Sequence, residues 1–178
     1  VVTASHNPPE YNGYKVYGAD GGQLVPSDAE QVIEIIQNLK SFSSIRSLAK
    51  KEAEAQGLLT WIGREVDEAY IAAVKSMSLN PKVITNINEN FRIVFTPLHG
   101  AGNHSVRQVL KQVGFTNVEV VAEQEHPDSQ FSTVKSPNPE EKEAFTLALK
   151  LAEEVEADII IGTDPDCDRM GAVVKNHE

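Results

Sequence analysis

Three short apolar segments alternate with two helical patterns in the second half of this 178-residue chain. The apolar segments are residues 91–95, 118–121 and 157–161, and turn-forming or polar residues flank them. Between them lie a pattern with apolar residues at i, i+3, i+4 and i+7, which ends at Gly114, and a second helical pattern after Asn138. Consecutive strands joined through helices run parallel, so this order predicts a three-layer α/β/α domain with a mostly parallel sheet.

The first half of the chain gives shorter signals, which predict a partial α/β domain ahead of the sheet domain. Residues 14–25 have the glycine spacing of a β-hairpin, and a helical pattern follows. Ser27 and Glu30 match a capping box. The apolar stripe of this predicted helix consists of Val32, Ile33, Ile36 and Leu39.

These patterns predict three parts: residues 1–40 as the C-terminal part of a first domain, 41–63 as a linker without a clean period, and 64–178 as a second α/β domain. The second domain is expected to contain a helix over 65–77 and a polar stretch over 80–90. Its last helix is expected to have Asn138 as N-cap, Pro139 at its first position and Glu141 three residues after the cap. The core face predicted for that helix is Phe145, Ala148, Leu149 and Ala152.

The ends of the chain also carry expectations. It opens on Val1 with no targeting pattern, and residues 171–174 are predicted to be extended with nothing after them to pair. We therefore expect a piece of a longer protein.

The charge balance excludes several classes of protein. The chain has 16 Lys and Arg against 26 Asp and Glu, a net charge of −10, and lacks a basic block, which argues against nucleic-acid or acidic-membrane binding. The sequence has no apolar run near the roughly 20 residues of a membrane span. A single cysteine, Cys167, excludes an internal disulfide framework and a multi-cysteine zinc site. These features predict a soluble, cytoplasmic protein.

The strongest local signal is the acidic loop G-T-D-P-D-C-D-R, residues 162–169, which follows a predicted buried strand. Asp164, Asp166 and Asp168 would repel one another unless a hard divalent cation lay between them, and Mg²⁺ is the natural candidate. An EF-hand is excluded, because Arg169 and Lys175 stand where that loop needs Gly and Glu. An acidic surface turn and a phosphoaspartate enzyme of the haloacid-dehalogenase type, with Asp164 as nucleophile, stay open.

Two further loops carry weaker signals. Ser5 beside His6, in a frame of prolines and Asn-Gly, fits an oriented nucleophile, although proline-rich loops containing serine are common. Residues 96–103 form a glycine-bearing strand-to-helix loop of the kind that binds anions, although ordinary turn glycines are the better interpretation. Cys167 is expected to be a spectator thiol. The remaining histidines lack ligand spacing and are expected to be structural or exposed: His104, His126 and His177.

Taken together, T-A-S-H-N-P-P-E-Y-N-G-Y-K (residues 3–15) and G-T-D-P-D-C-D-R resemble the two signature motifs of the α-D-phosphohexomutase superfamily. T-P-L-H-G (residues 96–100) and S-P-N-P-E-E (residues 136–141) resemble its bacterial phosphoglucomutase branch. The resemblance implies that Ser5 is phosphorylated and that Ser5 and the three aspartates bind one Mg²⁺. It also implies that Arg169 lies near the reacting phosphate and that Lys15 is an acid/base group. Three residues are implied in support: His6, Asn7 and His99.

The implied activity interconverts hexose 1-phosphate and hexose 6-phosphate through a phosphoserine and a bisphosphorylated sugar, with glucose 1,6-bisphosphate as activator. The implied partners are a hexose phosphate and the remaining domains of a longer chain, which carry the segments that read the sugar. The isolated chain is accordingly expected to be inactive. A phosphomannomutase or phosphopentomutase of the same family, a phosphoaspartate phosphatase, and a non-catalytic Mg²⁺- or phosphate-binding module remain as alternatives.

Overall fold

The computed structural model describes residues 1–87 and 89–176, so His177 lies outside the described residues. The chain divides into two compact units. The first unit consists of Val1–Val2 and Tyr14–Glu65, and the second of Thr3–Gly13 and Val66–Glu178.

The first unit contains helices α1 (Pro26–Gln37) and α2 (Lys50–Ala55) and a short 3₁₀ turn, Phe42–Ser44. The predicted hairpin is present as a chain reversal, with one antiparallel bridge between Tyr17 and Gln23 rather than two full strands. The predicted capping box is wrong, because α1 begins at Pro26 and Val25 is its N-cap residue. Proline has the φ angle of a first helical residue, so it sets the start ahead of Ser27. The expected linker contains α2, which is too short to show a period.

A four-stranded sheet forms the centre of the second unit, in the order β2-β1-β3-β4. Strands β1 (Arg92–Thr96), β2 (Asn117–Val120) and β3 (Ile159–Thr163) run parallel, and β4 (Met170–Val174) is antiparallel to β3. This confirms the predicted α/β fold with a mostly parallel sheet. The expectation that residues 171–174 are extended is confirmed, and β4 pairs with the preceding strand β3 along its whole length.

Four helices accompany this sheet: α3 (Arg64–Ser76), α4 (Pro81–Ile87), α5 (Gly102–Val113) and α6 (Thr146–Val155). Helix α3 confirms the prediction for 65–77, whereas α4 lies in the stretch expected to be merely polar. Helix α5 ends at Gly114, as predicted, and that residue has a φ of 118°, which glycine adopts without strain. In the part of the chain that is described, no helix has both the length and the apolar character that a membrane crossing requires.

The start of α6 differs from the prediction. Asn138 does not cap it; the Asn138 side-chain oxygen accepts the Glu140 N–H at 3.1 Å in a turn, and a 3₁₀ segment, Lys142–Phe145, precedes α6. Leu149 was also predicted wrongly, because its side chain is 42% exposed. The core joins α6 to the sheet through Val94, Val121, Phe145, Ala148 and Ile160.

Candidate active site

The acidic loop lies at the carboxyl end of β3, as the sequence predicts, and it folds around Asp164. The Cys167 N–H donates to the Asp164 carbonyl at 3.0 Å. The Arg169 N–H donates to Asp164 Oδ1, also at 3.0 Å, just before β4 begins at Met170. Open α/β sheets bind their ligands at this end of their strands. The loop is therefore a fixed turn in a position where a ligand can bind.

The three aspartates of this loop converge. Asp164, Asp166 and Asp168 each offer a carboxylate oxygen, and these oxygens lie within 4.8 Å of one another. Asp164 is fully buried, and this burial is the main cause that raises the pKa of its carboxyl, with Asp166 adding to the rise. Grouped carboxylates around a buried acid are a donor set that suits a hard divalent cation such as Mg²⁺. The residues present thus fit the predicted metal.

Ser5 meets this loop although 159 residues separate it from Asp164 in the sequence. The Ser5 Oγ donates to Asp164 Oδ2 at 3.0 Å, and the Ser5 N–H donates to Thr3 Oγ1 at 2.8 Å. Ser5 has a φ of 53°, in the left-handed region that non-glycine residues seldom occupy. Strain of this kind persists where the surroundings impose it, often at functional sites. The serine loop thus holds the Ser5 hydroxyl against the buried carboxylate.

His6 and Asn7 lie on the same loop. His6 Nδ1 is 3.2 Å from Ser5 Oγ. The Ser5 hydroxyl gives its single hydrogen to Asp164, so Nδ1 must carry a hydrogen and donate it to the Ser5 oxygen. The Asn7 side chain and N–H both donate to the Ala4 carbonyl, at 2.9 and 3.1 Å, and close the turn that carries Ser5.

Arg169 and Lys15 lie in different units of the chain. Arg169 belongs to the second unit, with Ser5 and the aspartates, and its Nη1 donates to Glu140 Oε1 at 2.9 Å. Lys15 belongs to the first unit, where it lines a small cavity with Tyr14 and Ile33. The structure therefore joins Arg169, but not Lys15, to the unit that holds Ser5.

The His99 side chain is buried, and both of its ring nitrogens have hydrogen-bond partners. Only 6% of it is exposed, and its Nδ1 lies 2.8 Å from the His126 carbonyl, which can only accept, so Nδ1 carries a hydrogen. Its Nε2 lies 2.8 Å from the Thr133 hydroxyl, which in turn accepts from the Gln124 side-chain amide. The Gln124 amide oxygen accepts from Thr96 Oγ1 at 2.6 Å.

These linked hydrogen bonds, of which only the one between Thr96 and Gln124 is fully buried, were not predicted from the sequence. Gln124 lies in a short 3₁₀ segment, Ala122–Gln124, and Thr133 in a polar loop; neither segment contains a motif, and only the fold brings these residues to His99. These hydrogen bonds fix residues 96–99, the start of the loop that precedes α5. Both ring nitrogens of His99 are already engaged in these hydrogen bonds.

The loop before α5 packs directly on the acidic loop. The Ala101 N–H donates to the Pro165 carbonyl at 2.8 Å. A Cβ on Gly102 would lie 2.7 Å from the Cys167 sulfur. Burial raises the pKa of the Cys167 thiol and disfavours the reactive thiolate, in keeping with the prediction of a spectator.

We predict that Gly100→Ala destabilises this contact. A Cβ on Gly100 would lie 2.5 Å from Pro165 Cα and 2.8 Å from the Pro97 carbonyl oxygen, and Pro165 cannot move without disturbing the acidic loop to which it belongs. The free energy of unfolding should fall by about 1–3 kcal/mol, as measured by urea denaturation of the chain. Gly63→Ala is the matched control, because a Cβ at Gly63 would have no neighbouring atom within 4 Å among the described residues other than its two chain neighbours. An equal loss in both variants would contradict the packing argument.

Comparisons with known proteins show the family of the chain. Residues 68–177 match the model of the phosphoglucomutase/phosphomannomutase alpha/beta/alpha domain II, and residues 1–42 match that of alpha/beta/alpha domain I. The chain belongs to the phosphoglucomutase/phosphomannomutase family. It is 40% identical to a phosphoglucomutase of Staphylococcus epidermidis over all of its own length and 32% of the relative. It is 35% identical to a phosphomannomutase of Mycoplasmoides pirum over 98% of its own length and 31% of the relative.

Solved structures share the fold of the chain. A structure from Thermus thermophilus matches with a TM-score of 0.70 at 24% identity, over 97% of this chain and 35% of that one. A phosphoglucomutase/phosphomannomutase family protein from Burkholderia thailandensis matches with a TM-score of 0.56 at 19% identity, over 97% and 32%. The chain thus spans about a third of the length of the relatives that it matches.

Proposed function

We propose that this chain is part of a phosphosugar mutase that interconverts hexose 1-phosphate and hexose 6-phosphate through a phosphoserine at Ser5. The observation that carries the proposal is the hydrogen bond between Ser5 Oγ and the buried Asp164, 3.0 Å long, inside the cluster of three aspartates. It joins a serine hydroxyl to a cluster of three carboxylates in one unit of a chain that belongs to this family. Glucose is the favoured hexose, because relatives that are 40% identical to this chain are phosphoglucomutases.

In the first half-reaction, a sugar hydroxyl attacks the phosphorus of phosphorylated Ser5. The bond from phosphorus to the sugar oxygen forms as the bond to Ser5 Oγ breaks. The freed Ser5 oxygen takes up a hydrogen and returns to the hydrogen bond with Asp164 that the structure contains. The reverse transfer, from the other end of the bisphosphorylated sugar, restores the phosphoserine. Glucose 1,6-bisphosphate is therefore proposed as both intermediate and activator.

Roles are also proposed for the other residues of the site. Asp164, Asp166 and Asp168, with Ser5, would hold Mg²⁺, which when bound offsets negative charge on the transferring phosphoryl group. Arg169 supplies guanidinium donors for the same group. His6 donates to the Ser5 oxygen and fixes its direction. Lys15 is proposed to take the proton from the sugar hydroxyl.

A broader organisation belongs to the same proposal. Residues 1–40 would be the end of the phosphoserine-bearing first domain, 41–63 a linker, and 64–178 the second domain with the metal-binding loop. The relatives are about three times as long as this chain, so further domains would complete the sugar site. The cytoplasm is the proposed location, and the isolated chain is proposed to be inactive.

A phosphatase that forms a phosphoaspartate at Asp164 is the less favoured alternative. Asp164 is fully buried, and its two carboxylate oxygens accept hydrogen bonds from Ser5 and from the Arg169 backbone. A buried carboxylate whose two oxygens both accept hydrogen bonds is well placed to organise a site, but it is a poor attacking group.

Phosphosite mapping by mass spectrometry tests the proposal. The full-length protein that carries this chain is incubated with Mg²⁺ and glucose 1,6-bisphosphate and handled so that acyl phosphates survive. We expect phosphate on Ser5. Phosphate on Asp164 would favour the phosphatase instead, and phosphate on neither residue would favour a non-catalytic binding module.

A further inference from the structure

Residues 136–140 connect the serine loop to the acidic loop within the second unit. At one end, the Ser136 hydroxyl lies 3.5 Å from the His6 carbonyl oxygen. Further along, the Pro139 carbonyl packs so closely on Gly171, at the start of β4, that a side chain there would collide with it. At the other end, Glu140 pairs with Arg169. Glu140 thus contacts an arginine that the proposed phosphoryl transfer uses, although that transfer gives Glu140 itself no role.

The backbone holds Glu140 in place. Pro137 is fully buried, and the Asn138 side chain accepts the Glu140 N–H at 3.1 Å. The Glu141 N–H donates to the Asn138 carbonyl at 3.0 Å and closes a turn. Prolines at 137 and 139 restrict the backbone further. The Glu140 side chain therefore reaches Arg169 from a backbone that is held in place.

The ion pair itself is easy to exchange. Arg169 Nη1 lies 2.9 Å from Glu140 Oε1, and the two side chains are 39% and 69% exposed. Exposed ion pairs are weak because water screens them and both side chains lose freedom. A phosphoryl group offers up to two negative charges and can accept two parallel N–H bonds from a guanidinium. A phosphoryl group within reach of the Arg169 guanidinium can therefore displace Glu140 from it.

We propose that Glu140 is a positioning residue that competes with the phosphoryl group for Arg169. The inference rests on the proposed mutase function. The Glu140 carboxylate holds the guanidinium when no phosphoryl group is near Ser5, and it takes the guanidinium back as that group leaves. Arg169 consequently binds the phosphoryl group less tightly than an unpaired arginine would. A bisphosphorylated sugar that must leave and return benefits from this weaker hold.

Glu140→Gln in the full-length protein tests the competition. Glutamine keeps the shape and the acceptor oxygen but removes the charge, so Arg169 becomes more available to phosphate. We expect the KM for glucose 1-phosphate to fall about two- to fivefold. Inhibition by inorganic phosphate should strengthen by the same factor, while kcat does not rise.

Glu141→Gln is the matched control. It removes the same charge one residue away. In the described part of the chain, the carboxylate that pairs with Arg169 is that of Glu140 and not that of Glu141. Its KM should equal that of the wild type. If KM in Glu140→Gln rises, or equals that of the control, the competition is overturned although the mutase function stands. A wild-type protein without mutase turnover would overturn the proposed function and this inference together.

Discussion

Ser5→Ala in the full-length protein should abolish phosphoryl transfer while the fold persists. We expect kcat for glucose 1-phosphate to fall on the order of 10⁴-fold, because no other group in the proposed mechanism carries the covalent phosphate. The variant also loses the hydrogen bond to Asp164, which lowers stability but leaves the sheet untouched. A coupled assay for glucose 6-phosphate measures the rate, and circular dichroism measures the fold.

Ser136→Ala serves as the control for local disturbance. Its hydroxyl lies 3.5 Å from the His6 carbonyl oxygen, so the variant removes a hydroxyl beside the serine loop without removing the nucleophile. Its kcat should stay within about threefold of the wild type, since a weak, long hydrogen bond contributes little. A Ser5→Ala variant that released inorganic phosphate from glucose 1-phosphate, with phosphate found on Asp164, would establish the phosphatase instead.

The sheet was predictable from the sequence because its signal is local. The three parallel strands each read as an apolar run, and α5 reads as a 3.6-residue period that ends at Gly114. The helix starts were harder to predict, since two local preferences compete there. Pro26 takes the first position of α1 ahead of the capping box, and the Asn138 side chain bonds to Glu140 in a turn instead of capping a helix.

The site was predictable in parts. The aspartates lie within five residues, so their convergence follows from one loop. The contact of Ser5 with Asp164 spans 159 residues, and in the sequence it follows only from the resemblance of two motifs to one family. Gln124 and Thr133 support His99 through contacts that no spacing indicates. Long-range polar contacts of this kind depend on the fold, which brings separate loops together.

The buried carboxylate gives the second large effect that we expect. Asp164→Asn preserves the shape of the side chain and an oxygen that can accept the Arg169 N–H, but it removes a charge from a fully buried position. Without metal, a buried and crowded charge destabilises the fold. The variant should therefore unfold at a temperature equal to or above that of the wild type in EDTA at pH 8.

Added Mg²⁺ should reverse this order. A ligand that binds the folded state stabilises it by about 2.7 kcal/mol at 100 times its dissociation constant. The wild type should gain stability in this way, whereas Asp164→Asn should gain little and should bind Mg²⁺ roughly 100-fold more weakly by calorimetry. The measurement is the unfolding temperature of the wild type and of Asp164→Asn, each in EDTA and in Mg²⁺.

Asp168→Asn separates the cost of burying a charge from the loss of a metal ligand. Asp168 is exposed, so its charge costs little when the metal is absent, yet its oxygen belongs to the same donor set. We expect this variant to bind Mg²⁺ more weakly without gaining stability in EDTA. If Mg²⁺ stabilised all three proteins equally, the aspartates would not be its ligands. If Asp164→Asn were less stable than the wild type in EDTA, the charged carboxylate would stabilise the fold even without the metal. Its hydrogen bonds with the Ser5 hydroxyl and the Arg169 N–H would then outweigh the cost of burying its charge.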